Sequence, residues 1–211
     1  YPLDGGGNFI MRELFGSLDD AVITANLEYG AVMDEFGGLT TLDFKRFERW
    51  RTIEKSCWIN RFYFLVPLAR TAWLKDDAKL ARKAAEVMLA FYRACQPPED
   101  LEAHWKRVSR RMQEDYNSKS MEEIVQDETD VEYIWYDMQP AQRLLSFFYT
   151  CFFIKNFNIF TSQEAEDLTA CLAQHARVLA KQEAFRIPEL DNHQSLRGIL
   201  LYWSLPLLAK D

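Results

Sequence analysis

Leu65-Val66-Pro67-Leu68-Ala69-Arg70-Thr71-Ala72-Trp73-Leu74-Lys75-Asp76-Asp77-Ala78-Lys79-Leu80 is the stretch on which the fold reading turns. Trp58, Phe62, Leu65, Ala69, Ala72 and Trp73 fall at helical spacing, so they make one apolar stripe. Pro67 lies inside that stripe and is expected to kink or break the helix, since its ring fixes φ and its nitrogen has no hydrogen to donate. Asp76-Asp77 interrupts the pattern. Leu80, Ala84, Val87 and Phe91 then repeat at i, i+4, i+7 and i+11, and Pro97-Pro98 closes the run. Two amphipathic helices joined by a turn of a few residues predict an antiparallel hairpin.

Working outward, the same periodicity recurs. Toward the N-terminus, Tyr1 to about residue 15 with Gly5-Gly6-Gly7-Asn8 reads as an irregular lead-in. Ser17-Leu18-Asp19-Asp20 resembles a capping box ahead of Ala25, Tyr29, Val32, Met33 and Phe36, and Gly37-Gly38 ends that helix. A shorter helix from Thr41 to about Arg51 carries Phe44, Phe47 and Trp50. Toward the C-terminus, Leu101, Trp105, Val108 and Met112 form a stripe on a charged helix. Residues 113–132 turn polar and acidic without a period, and read as a long loop or lid. Gln139-Pro140 opens a helix whose Leu144, Leu145, Phe147, Phe148, Cys151, Phe152 and Phe153 cover almost every face, which predicts burial on all sides. Thr161-Ser162-Gln163-Glu164 is a capping box before Leu168, Leu172, Ala176 and Leu179. The last helix follows Asp191-Asn192-His193 and carries Leu196, Leu200, Trp203 and Leu207. The expectation is a single all-α domain over residues 1–211, an incomplete (α/α) toroid of antiparallel helical hairpins. A closed ring of hairpins needs about twelve helices of ~12 residues, more than this chain supplies.

Composition narrows the function. Aromatic residues reach 14%, while only 8 Gly and 7 Pro punctuate 211 residues, few for an all-β fold. The net charge of −7 disfavours a general nucleic-acid role, which needs a broad basic field. No apolar run approaches the ~20 residues of a membrane-spanning helix. The N-terminus shows no basic-then-apolar leader. Cys57, Cys95, Cys151 and Cys171 lie far apart without a C-x-x-C pair, so no metal site is expected, and no motif calls for a cofactor. Gly-x-Ser-x-Gly, His-Glu-x-x-His and Walker-type loops are absent from the sequence.

Four groups of residues invite chemistry. Asp191-Asn192-His193 precedes a helix, where free N–H groups and the dipole favour a carboxylate and a neutral imidazole can act as a base. The bland alternative is a helix cap. Trp135 and Tyr136, followed by Arg143, offer rings for sugar faces and a fork for a carboxylate, or else close the core and satisfy helix ends. Asn60 and Arg61 are a polar pair in an apolar stretch, which must find partners, either internally or in a ligand. His104, Lys106, Arg107, Arg110 and Arg111 form the one dense basic cluster, read chiefly as a solvated helix face. His175 reads as structural.

Trp58-Ile59-Asn60-Arg61-Phe62-Tyr63-Phe64-Leu65-Val66-Pro67-Leu68-Ala69, with the turn Leu74-Lys75-Asp76-Asp77, resembles the N-terminal domain of the heparinase II/III-like polysaccharide lyases. That family has a threonine-glycine-aspartate type of turn here, from which this sequence departs. Trp135-Tyr136-Asp137 through Arg143 is similar to the family's Trp-to-Arg segment, and Asp191-Asn192-His193-Gln194-Ser195-Leu196-Arg197-Gly198 to its Asn-His segment. The resemblance covers residues 50–208. It implies a toroid followed by antiparallel β-sheets, a periplasmic or secreted location, and β-elimination on uronic-acid polysaccharides such as heparan sulfate or alginate. By the resemblance, Asn192 would neutralise the uronate carboxylate and His193 would serve as base or its partner. Trp135, Tyr136, Arg143, Asn60, Arg61 and Arg197 would contact substrate. The family's catalytic tyrosine and β-domain histidine have no counterpart before Asp211, so the resemblance implies a partner β-sheet domain. It also implies weak sugar binding and little elimination by these 211 residues alone.

Two other classes stay open: a non-catalytic helical carbohydrate-binding or scaffold module, and a fragment of an α/α-toroid glycoside hydrolase. Convergence of Asn192, His193 and Arg143 on one concave face would favour the lyase, and scattered positions would favour the scaffold. A hydrolase needs two opposed carboxyl groups ~5–9.5 Å apart, a role open to Asp137, Asp191 or Glu132.

Overall fold

The computed structural model describes residues 61–118, 134–185 and 192–208, and every regular element among them is an α-helix. They are α1 (Leu65–Lys75), α2 (Ala78–Ala94), α3 (Leu101–Ser118), α4 (Gln139–Ile154), α5 (Ser162–Phe185) and α6 (Asn192–Leu208). None of them is long and apolar enough to cross a membrane. The helices read from Ser17 and Thr41, and residues Trp58 to Asn60, lie outside the described residues. The described residues divide into two compact units: 62–94 with 145–169, and Arg61 with 95–118, 134–144 and the described part of 170–208.

The first unit is built on the hairpin. The stripe through Phe62 is interrupted at Phe62 itself, where φ is 57°, and α1 begins three residues later. Pro67 therefore sits in the first turn, where proline is tolerated, and the helix runs on through it. A left-handed Phe costs on the order of 1–3 kcal/mol. Its ring is held by Phe64, Phe91 and Phe147 at 6.1, 5.3 and 5.7 Å between centroids, and pairs of this kind contribute about 0.5–1.5 kcal/mol each beyond their burial. Three pairs are enough to offset the strain.

The two aspartates divide the turn between them. Asp76 ends α1 in the left-handed region at φ 52°, its N–H turned back to Ala72 and Trp73 carbonyls. Asp77 Oδ1 accepts from the Lys79 and Leu80 amides, both at 3.0 Å, and so caps α2. Leu65, Leu68, Ala69 and Ala72 of α1 and Ala84, Val87, Met88 and Phe91 of α2 are buried, and the two helices pack together as the pattern predicted.

The capping box of α5 forms as read. Glu164 N–H donates to Thr161 Oγ1 at 3.2 Å and Thr161 N–H to Glu164 Oε2 at 2.9 Å. Arg82 of α2 forks onto the same carboxylate at 2.7 and 2.9 Å and also donates to the Ile159 carbonyl. Arg82, then the Thr161 amide, hold the Glu164 carboxyl at about 2. The cap and the ion pair therefore persist through mild acid.

Three expectations change. Helix α3 continues to Ser118, so 113–118 is helical rather than loop. Helix α4 is not buried all round. Gln139, Gln142, Arg143, Ser146 and Thr150 are buried, whereas Phe152 is 58% exposed. In α6 the buried positions are Arg197, Leu200 and Ser204, and Trp203 is exposed. In both helices the buried stripe contains polar side chains that find hydrogen bonds, such as Thr150 Oγ1 to the Ser146 carbonyl at 2.7 Å and Ser204 Oγ to the Leu201 carbonyl at 2.9 Å. Hydropathy alone cannot see such a stripe.

Candidate functional site

The second unit holds a turn, residues 134–138, whose three carbonyls are pinned before α4 begins. Arg143 Nη2 donates to the Ile134 carbonyl at 3.0 Å, Trp105 Nε1 to that of Trp135 at 2.8 Å, and the Gln139 amide to that of Tyr136 at 3.2 Å. Asp137 follows with φ 51°, a left-handed conformation that Asp tolerates better than most residues. The tethers fix where its carboxylate stands.

That carboxylate ties the turn to α6, and Arg197 carries the link on to α5. Asp137 Oδ2 lies 2.6 Å from His193 Nδ1, and Oδ1 accepts from Arg197 Nη1 at 2.8 Å. Arg197 Nε donates to Glu183 Oε1 at 2.5 Å, so the guanidinium lies between two carboxylates. The side chain of Arg197 is 2% exposed, that of Asp137 17% and that of Glu183 21%. His193 stands out at 40%. A carboxylate oxygen only accepts, so Nδ1 carries the hydrogen of the neutral ring, and Nε2 holds the lone pair. His193 is thus an accessible imidazole oriented by a half-buried carboxylate, in the first turn of α6.

A different network sits below the turn. Arg143 Nε donates to His175 Nε2 at 2.8 Å, and the guanidinium carbon lies 4.7 Å from the centre of the Trp135 ring. Trp135 and His175 have ring centroids 4.8 Å apart. His175 Nδ1 faces the Cys171 carbonyl at 2.7 Å, which fixes the hydrogen on Nδ1 and leaves Nε2 to accept from Arg143. Arg143 and His175 have no exposed surface. Burial, then the Arg143 charge, push the His175 pKa well below 6.5, against the pull of the Cys171 carbonyl. The unfolded chain takes up a proton on His175 below about pH 6.5 and the folded one does not. Stability is therefore complete above that pH and lost on acidification, at up to about 1.4 kcal/mol per pH unit. Denaturant titrations between about pH 7 and 5 are expected to show this slope, and His175→Gln to flatten it.

The residues singled out in the sequence thus separate. His193 and Arg197 come together at Asp137. Arg143 and Trp135 lie in the buried network that carries the turn, and Tyr136 is a half-buried member of the turn itself. Arg61 is buried and donates to Gln139 Oε1 at 2.7 Å. Asn192 opens α6, and Asn60 and Arg111's side chain lie outside the described residues. In the basic cluster Lys106, Arg107 and Arg110 are exposed, whereas His104 is buried on the stripe of Leu101, Trp105 and Val108 and accepts from Arg107 at 3.2 Å. In the sequence Asp137 is one of three candidate carboxylates, and nothing local singles out Glu183. Their one local signal is a charge beside apolar positions, and their partners lie 60 and 14 residues away.

Among the described residues no group of three or more His, Cys, Asp or Glu is placed to hold a metal ion. No protein-family model, curated protein or solved structure matches the chain.

Proposed function

We propose that the Asp137–His193 pair is the proton-transfer centre of a polysaccharide lyase acting by β-elimination on uronic-acid polymers, within an incomplete (α/α) toroid. The observation that carries this reading is the 2.6 Å contact that holds an accessible imidazole by one nitrogen and leaves the other for substrate. In the reaction the base takes the proton from C5 of the uronate. Its electrons form the C4–C5 double bond, the C4–O bond breaks, and the leaving oxygen takes up a proton. His193 Nε2 supplies the base, Asp137 keeps the ring in one tautomer and stabilises the imidazolium, and Arg197 holds Asp137 in place. Asn192 lies at the start of α6, where the positive end of the helix dipole suits the uronate carboxylate.

Arg143 lies with His175 rather than with His193, which on that count favours the scaffold module, so the lyase reading rests on the Asp137–His193 pair. The hydrolase alternative gains less from this arrangement. Asp137 and Glu183 are both directed at Arg197 rather than across an open cleft.

The test is ultraviolet absorbance of the unsaturated product, followed with heparan sulfate, hyaluronan and alginate and the protein at its full genetic length. Turnover is expected, with His193→Ala lowering it by about 10²–10⁴-fold and leaving the thermal midpoint nearly unchanged, since the side chain is 40% exposed. Absence of turnover on every uronic-acid polymer would move the reading to a binding module or a hydrolase.

A further inference from the structure

Three large apolar side chains of the first unit stand in water: Leu74 is 67% exposed, Phe152 58% and Trp73 51%. They lie at one end of the unit, where α1 runs into the Asp76-Asp77 turn and α4 into the link to α5. Phe153 joins them. Its ring centroid is 5.8 Å from that of Trp73 and 5.4 Å from that of Phe152, and the Lys155 ammonium lies 4.7 Å over the Phe152 ring. Lys75 and Lys79 are also exposed at the turn. The aspartates there offset the three lysines only in part: Asp76 is exposed, and Asp77 is half-buried with Oδ1 held by two amides. Size and shape narrow what covers this end. At about 150–250 Å² for a whole aromatic side chain, the three expose roughly 250–450 Å² together. A stable protein interface takes about 800 Å² from each partner, which disfavours a second copy. A sugar stacks on a flat ring face. The rings here are inclined by 45° between Trp73 and Phe153 and by 77° between Phe152 and Phe153, so they form a wedge rather than a platform. Leu74, the most exposed member, has neither a ring to stack nor a group to bond a hydroxyl. Apolar and aromatic tips flanked by lysines suit the interface of a bilayer.

We infer that this end of the first unit docks on the surface of an anionic bilayer. Trp73, Leu74 and Phe152 enter the boundary between headgroups and acyl chains. Lys75 and Lys155 stay with the lipid phosphates, their stems lying along the apolar surface. The protein then lies on the membrane rather than across it. None of these residues belongs to the Asp137–His193 site, so docking stands or falls independently of the elimination reading.

Flotation of the full chain with vesicles tests this, using phosphatidylcholine alone and an equal mixture of phosphatidylcholine and phosphatidylglycerol. The mixture is expected to bind about tenfold more tightly, since each lysine near an anionic surface adds about fivefold and the aspartates take part of that back. Leu74→Ser combined with Phe152→Ser is expected to weaken binding at least about tenfold. It should leave the thermal midpoint nearly unchanged, because both side chains are more than half exposed. Lys75→Glu with Lys155→Glu is expected to abolish the preference for the mixture. Brominated phosphatidylcholine in the vesicles is expected to quench part of the tryptophan emission of the native chain, and less of it in Trp73→Phe. Failure to float with the mixture, or undiminished binding by the Leu74→Ser, Phe152→Ser variant, would overturn the inference. So would a dimer, or retention on immobilised alginate, that this variant loses while vesicles bind neither protein. If the variant does not fold, the quenching of Trp73 decides, and its absence overturns docking at this end.

Discussion

Arg143→Ala is expected to destabilise the protein by about 3–5 kcal/mol, lowering the midpoint of unfolding by roughly 10 °C for a chain of this size. The guanidinium donates to His175 and to the Ile134 carbonyl and lies on the Trp135 ring. Alanine leaves both acceptors buried with no donor in its place and opens a cavity where a long side chain had no exposed surface. Arg143→Lys restores the charge but not the fork, so it is expected to recover only part of the loss. Thermal unfolding of the two variants at about pH 7.5, where His175 is neutral in both states, measures the effect without the pH term. A loss below about 1 kcal/mol in Arg143→Ala would mean that the turn at 134–138 does not depend on this side chain.

Asp137→Asn is expected to lower turnover by about 10²–10⁴-fold while costing only about 1–3 kcal/mol of stability. The reason lies in the count of acceptors. Asp137 binds His193 on Oδ2 and accepts from Arg197 on Oδ1. An asparagine has a single oxygen. If it faces Arg197, its amide turns toward His193 and forces the ring into the tautomer with the hydrogen on Nε2, which cannot act as the base. If it faces His193, the amide opposes the Arg197 guanidinium. The backbone is not the cause of any effect, because Asn adopts the left-handed conformation as readily as Asp. Arg197 retains Glu183, which limits the cost in stability. Turnover on a uronic-acid polymer that survives in Asp137→Asn at close to the native rate would remove Asp137 from the mechanism and leave it a packing role.

How much of this could be read from residues alone depends on the range of the interaction. Asp77, Thr161 and Glu164 act within one turn of where they stand, and such local capping is written in the sequence. The hairpin of α1 and α2 follows from periodicity and was equally legible. The breaks lay elsewhere. Phe62 carries the strain that Pro67 was expected to carry, because a first-turn proline fits a helix and a left-handed phenylalanine leaves no mark in a sequence. The burial of Gln142, Arg143 and Ser146 on α4 defeated the hydropathy pattern, since each polar group there depends on partners that only the fold supplies. The site shows the same division. His193 was visible because an imidazole at a helix start is chemically conspicuous. Its relation to Asp137 spans 56 residues and rests on a turn held by Trp105 and Arg143, which no local pattern encodes.

Arg197 also governs how this part of the molecule loosens. One guanidinium binds the turn through Asp137 and the end of α5 through Glu183 while itself belonging to α6. None of the three segments can open alone without leaving a nearly buried cation short of a counter-charge, so their amide hydrogens are expected to exchange as one cooperative block. Fraying of α6 would release Asp137 and His193 in the same event. Order in that helix and competence of the pair are therefore a single equilibrium, and a ligand that braces either one steadies the other by the same free energy.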